Sequence, residues 1–240
     1  MSPHELFRAG KLTEAIQALG GELRNHPTDR QRRTFLFELL CLSGDFLRAE
    51  KHLNILADGG EEAITGALVY RSALHADRQR HAFFDEGQYR VDTPPPVSGP
   101  GKLNGVAFET IEDADERIGP RLEMFVAGEY QWLPFAHLGT LNMEAPRRLR
   151  DTLWTASLVT AGPALQGKDF GQVLLPVIYP GSGRHERDTV RMGRETDWLT
   201  VNESAVPMGQ KLLLLDGETV IPFLEVRELE MNAAAAPLGV

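Results

Sequence analysis

Glu112-Asp113-Ala114-Asp115-Glu116-Arg117-Ile118-Gly119-Pro120 is the densest run of chemistry-bearing side chains in the sequence. Carboxylates so spaced, with an arginine beside them, can hold a divalent cation or divide acid and base roles. The run begins like a calcium loop but lacks that loop's glycine and closing bidentate glutamate. Its structural reading is a short helix whose carboxylates cap backbone groups or pair with arginines from elsewhere. Arg191-Met-Gly-Arg194-Glu195-Thr-Asp197-Trp198 offers such a partner. Arg194 is expected to reach Asp113 or Asp115 as a bidentate pair between distant segments. Asp113, Asp115, Arg117, Arg194 and Asp197 therefore form an expected architectural network. Read as a site instead, Asp113, Asp115, Asp197 and Glu123 would build a metal-binding or enzymatic domain.

Elsewhere the chemistry thins out. No two of the seven histidines have the spacing of a helical zinc site. Pro180-Gly-Ser-Gly-Arg-His185 looks like a phosphate loop without its Gly-Lys-Ser/Thr ending, so a surface turn is expected. Ser157, Ser182 and Ser204 lie outside any nucleophile elbow. Cys41 falls in an apolar helical run and reads as a small buried hydrophobe. Trp132, Trp154 and Trp198 read as core or interface aromatics. No catalytic residue, metal ligand or cofactor is assigned.

The elements that must carry these residues fall into two halves. Gly10-Lys-Leu12-Thr-Glu-Ala15 is answered 34 residues later by Gly44-Asp-Phe46-Leu-Arg-Ala49, and Leu19 by Leu53. That period with a helix-turn-helix pattern is the signature of tetratricopeptide-type repeats. Glycine closes each turn, and Ala15 and Ala49 let paired helices touch. Pro27 ends the first unit ahead of Thr28-Asp29, which can cap the next helix; Glu61 stands at the equivalent place in the second. Helices are predicted over residues 5–10, 12–24, 32–43, 46–57 and 61–86. The third is apolar nearly all round, as a helix covered on several sides is. Thr93-Pro-Pro-Pro-Val-Ser-Gly-Pro-Gly101 favours a stiff extended connection. Beyond it short β-type runs recur, at Leu122–Val126, Tyr130–Phe135, Val173–Tyr179, Lys211–Leu215 and Val220–Val226, with minor helices near Thr110–Arg117 and Pro146–Trp154. The expected fold is α+β with two domains: tetratricopeptide-like helices over 1–90, a linker over 91–104, a mostly antiparallel β-rich domain over 105–232 and a flexible tail over 233–240.

Charge and hydropathy narrow the function. The formal net charge of −9 falls mostly on residues 91–240, where 21 acidic side chains outnumber 13 basic ones. Nucleic acid, which needs a basic footprint, is not an expected partner. No apolar run approaches the ~20 residues of a membrane span, and the first residues do not read as a signal peptide. A cytoplasmic protein is expected.

Several phrases resemble the ImpE family, also called TagJ, of accessory proteins of bacterial type VI secretion systems. They are Glu112 to Glu123, Gly128-Glu-Tyr130-Gln-Trp132-Leu-Pro134-Phe135, Pro146 to Trp154, Pro176 to Ser182, and Met192-Gly193-Arg194-Glu-Thr196-Asp197-Trp198. The match runs in order from about Leu6 to Glu228. It implies a non-enzymatic role in which the helical domain binds a helix of the small contractile-sheath subunit, with the sheath-recycling ATPase as a further candidate partner. Helical repeats form grooves that receive amphipathic helices. The groove expected here lies between residues 35–42 and 62–74, with Arg32, Arg33, Tyr70 and Arg71 as candidate rim contacts. The other readings are the metal-binding or enzymatic domain above and a repeat adaptor outside secretion.

Overall fold

A computed structural model describes residues 1–58, 61–90, 94–201 and 203–232, and only the backbone of residues 61–63. The expected tail, 233–240, and residues 91–93 of the expected linker lie outside the described residues. Helices α1 (Pro3–Arg8), α2 (Leu12–Asn25), α3 (Arg30–Leu42), α4 (Phe46–Ala57) and α5 (Glu61–Asp85) come first. Strands follow: β1 (Gly101–Leu103), β2 (Val106–Phe108), β3 (Ile111–Asp113), β4 (Arg121–Val126), β5 (Glu129–Pro134), β6 (Leu138–Met143), β7 (Trp154–Ala161) and β8 (Asp169–Pro176). After a short helix α6 (Asp188–Arg191) come β9 (Thr196–Val201), β10 (Ser204–Gly209), β11 (Leu212–Leu215), β12 (Thr219–Pro222) and β13 (Glu228–Met231). The chain is α+β and forms two compact units. One joins Met1–Ala82 to Ile178–Gln210; the other joins Phe83–Val177 to the chain from Lys211 onward.

In the helical unit, two turns built alike explain the 34-residue echo. Gly10 and Gly44 have φ of +80° and +72°, a region open to glycine at no steric cost. Around each, the helix ends in the same pair of bonds. Gly10 and Lys11 donate to the carbonyls of Phe7 and Leu6, as Gly44 and Asp45 donate to those of Cys41 and Leu40. That pairing is the Schellman cap. Asp29 and Asp45 accept from the N–H groups of Arg32 and Arg48 and so begin α3 and α4. Leu12, Ala15, Ile16, Leu19 and Leu23 form one buried stripe on α2, while α3 buries every residue from Leu36 to Leu42. Ala67, Ala73, Leu74 and Ala76 of α5 are buried together with Asp77 and Arg80, whereas Ile64 and Leu68 face outward.

The β-rich unit holds an antiparallel sheet in the order β2-β1-β13-β6-β7-β8-β4-β5 and a smaller one in the order β12-β11-β3. Leu122, Phe135, Leu141, Leu175, Phe223 and Leu229 lie in their common core. Each expected β-type run overlaps a strand, although residues 177–179 and 223–226 lie beyond the ends of β8 and β12. The expected helix at 110–117 is instead β3 and a tight turn, because Asp113 Oδ1 accepts the N–H of Asp115 and Asp115 Oδ1 that of Arg117. Such local bonds compete with a helix. The helix expected over 146–154 shrinks to one 3₁₀ turn, Leu149–Thr152, and Trp154 already begins β7.

Candidate functional site

The acidic run forms a closed ionic cluster around a lysine. Asp113 leaves the end of β3 and Glu123 points inward from β4, and both meet Lys211 just ahead of β11. Lys211 Nζ lies 2.8 Å from Asp113 Oδ2 and 2.6 Å from Glu123 Oε2. All three are at most 3% exposed. Tyr130 donates to Glu123 Oε1 at 2.7 Å, and the Trp132 indole N–H donates to the Tyr130 hydroxyl. Burial pushes the Asp113 carboxyl from 3.8 up to about 6, with Lys211 opposing that rise and Glu123 adding to it. Beside this cluster Arg117 grips buried Asp115 with two bonds, Nη2 to Oδ2 at 2.6 Å and Nε to Oδ1 at 2.9 Å. Its guanidinium lies over the Phe84 ring.

This arrangement can organise a core but offers no substrate a reacting atom. The Lys211 ammonium occupies the place between two carboxylates that a divalent cation would take. Among the described residues no group of three His, Cys, Asp or Glu is placed to hold a metal. Sequence reasoning missed Lys211. Its signal is one glutamate inside the apolar run Leu122–Val126 and one lysine heading the apolar run Leu212–Leu215, two charges of opposite sign that burial must bring together.

Arg194 and Asp197 belong to the helical unit and find other partners. Arg194 donates to the carbonyls of Phe7 and Arg8 at 2.6 and 2.9 Å. It thus closes the end of α1 in place of the expected pair with Asp113 or Asp115. Cations at helix C-termini are stabilised by the exposed carbonyls there. Asp197 takes Arg187 and His185, the latter at 3.2 Å; the bond from Arg187 holds its carboxyl below the usual range. Trp198 is 46% exposed, whereas Trp154 is buried.

The glycine-rich turn at 180–185 is interior, not the expected surface turn. Buried Ser182 donates to the Tyr179 carbonyl and accepts from Gly209 N–H, both at 2.7 Å. A Cβ on Gly183 would stand 2.7 Å from the Ser43 carbonyl in the α3–α4 turn. Asp188 meanwhile accepts from Thr13 at the start of α2. Residues 183–194 therefore grip both helix-helix turns.

Of the candidate rim residues, Arg71 is exposed and donates to Asn54 of α4 at 2.9 Å. Tyr70 donates to Glu38 and packs edge-on against Phe37. Arg32 is bound to Glu22 and Asp29 near the start of α3. Arg33 is buried, with its guanidinium on the Pro27 carbonyl and beside His52. Burial and then Arg33 lower the His52 pKa. Ile55 of α4 and Leu68 of α5 are 50% and 60% exposed. No helix among the described residues is long and apolar enough to cross a membrane.

Comparison with known proteins places these features in a family. Residues 105–230 match the family model described as ImpE protein. The type VI secretion system accessory component TagJ of Pseudomonas aeruginosa is 31% identical over 98% of this chain and 93% of its own length. An X-ray crystal structure of a Vibrio parahaemolyticus protein has the same fold, with a TM-score of 0.81 at 23% identity over 96% of this chain and 97% of that one. Matched by the family model over more than half its length, and by TagJ over nearly all of it, the chain belongs to the ImpE family.

Proposed function

We propose that this protein is a non-catalytic, cytoplasmic accessory component of a type VI secretion system. Its helical unit, read as a tetratricopeptide-like pair of hairpins, receives an amphipathic helix of the small sheath subunit. The observation that carries the accessory role is the likeness to TagJ along 98% of the chain. Enclosure of the Lys211 cluster supports a role without catalysis, since a group that meets no solvent meets no substrate.

The outward residues of α4 and α5 support the helix-binding part. Ile64, Leu68 and Arg71 follow one another at i, i+4 and i+7 along α5, and Arg71 bonds Asn54 of α4, the residue before exposed Ile55. An apolar row with a cationic rim suits a helix with apolar anchors and an acidic flank. Arg32, Tyr70 and Arg71 then serve as rim contacts, whereas Arg33 is buried on the Pro27 carbonyl and beside His52 and is not part of the rim. The ATPase that recycles the sheath is a second candidate partner.

Calorimetry of the whole protein against a peptide of the amino-terminal helix of the cognate small subunit tests this. Saturable micromolar binding is expected. Leu68→Glu or Arg71→Glu should weaken it about 30-fold, the equivalent of an anchor worth about 2 kcal/mol. Absence of binding, or both variants binding like the parent, would remove the helix-docking reading.

A further inference from the structure

The hairpin of β9 and β10 is a two-stranded sheet of its own, and among the described residues no strand pairs with the outer edge of β9. Trp198 faces Pro207 across it. Proline has no N–H to give, so that pair is a non-hydrogen-bonded one, and Asp197–Met208 and Leu199–Val206 exchange the ladder bonds. Trp198 and Thr200 consequently turn their backbone groups away from β10. The Trp198 N–H is met there only by the adjacent Asp197 carboxylate, at 2.9 Å.

Most sheet edges among the described residues carry a protective device. Strands β2 and β3 are three residues long, β12 has four and ends in Pro222, and β5 opens on Glu129 and ends in Pro134. The outer edge of β10 is blunted by Pro207. Strand β9 has six residues, TDWLTV, with neither proline nor lysine. Its one charge, Asp197, is paired with Arg187. Trp198, Leu199 and Val201 are 46%, 37% and 46% exposed.

We propose that β9 pairs antiparallel with β9 of a second copy of this chain, about a two-fold axis through Leu199. The register of the outward backbone groups fits this occupant, with the Trp198 N–H exchanging its local bond to Asp197 for one across the interface. With Leu199 opposite Leu199, Trp198 of each copy faces Thr200 of the other, and these are the residues whose N–H and C=O point outward. Two reciprocal pairs close, the indole covers the threonine methyl, and no uncompensated like charges meet. The interface is isologous and small, so the dimer is weak and concentration-dependent.

Sedimentation equilibrium on the intact protein, with engineered cysteines, tests the pairing. Leu199→Cys should oxidise to a covalent dimer, since directly opposed residues of a non-hydrogen-bonded pair bring their Cα atoms about 4.5 Å apart, within disulfide reach. Val201→Cys lies roughly 13 Å from its copy in this register and should not. The native Cys41 is buried and leaves the background silent. Thr200→Pro removes only an outward donor, so it should weaken the dimer at least about tenfold with an unchanged melting temperature. A monomer at every concentration reached, or a dimer in which L199C cross-links no better than V201C, overturns the proposal. The two cysteine variants decide it even if T200P fails to fold.

Discussion

Asp188 Oδ2 accepts the N–H of Thr13 at 2.9 Å and Oδ1 meets the Thr13 hydroxyl at 3.1 Å, so a residue 175 positions away caps α2. The chain needs this because the N-cap position of α2 is Lys11, which has no acceptor to offer. At the equivalent place in the second hairpin Asp45 caps α4 itself.

Asp188→Ala should therefore lower stability by about 1 to 2 kcal/mol, the usual cost of a lost N-cap. Lys11→Asp, which makes the first hairpin resemble the second, should restore much of that loss. Urea melts of the two single variants and the double one measure it. An unchanged midpoint in Asp188→Ala would show that the bond carries no weight.

Lys211→Met leaves Asp113 and Glu123 buried together without their ammonium. Removing one partner of a buried ionic group costs about 3 to 5 kcal/mol. The loss should shrink on acidification, as protonation relieves the paired carboxylates. Thermal melts of parent and variant at neutral and acid pH test both parts, and equal losses at the two would contradict the enclosed cluster.

Asp113 also fixes the sign of a pH dependence. Burial pushes its carboxyl from the ordinary 3.8 up to about 6 in the folded protein. Between those values the folded state holds the proton more tightly, so this group's contribution to stability is fully present below pH 3.8 and lost as pH rises through 6. Asp113→Asn should remove that slope. The measurement is the difference between parent and variant unfolding free energies across pH 4 to 7, and a flat difference would count against the raised value.

Two glycines should respond to alanine with opposite signs. Gly183→Ala drives a methyl into the Ser43 carbonyl, with backbone atoms at 2.7 Å, and should cost about 1 to 3 kcal/mol through strain. Gly20 lies inside α2 with nothing within 4 Å of a new Cβ. Gly20→Ala should stabilise by about 0.5 to 1 kcal/mol. Melting temperatures that move the same way in both variants would show the contact to Ser43 to be unimportant.

Much of the helical unit was legible in the sequence because its rules are local. The echo of Gly10-Lys-Leu12 in Gly44-Asp-Phe46 reports two Schellman turns, and the stripe Ala15-Ile16-Leu19-Leu23 reports a buried face at helical period. Asp29 could be placed as a cap because a cap acts within three residues. The expected β runs appeared for a similar reason, since apolar runs between Gly, Pro and Asp mark strands wherever they pair.

Pairing between distant charges was not legible. Arg194 and Lys211 are both cations remote in sequence from Asp113, and nothing in one-dimensional order says which of them the chain brings to it. Residue types and spacing determined the hairpin turns, the strand segments, the acidic run and the family resemblance. Tertiary structure decided that Lys211 neutralises that run, that Arg194 closes α1, and that residues 178–210 return to the helices. The reason is that an ionic or capping bond depends on distance in space, and the fold sets that distance through packing that local sequence does not encode.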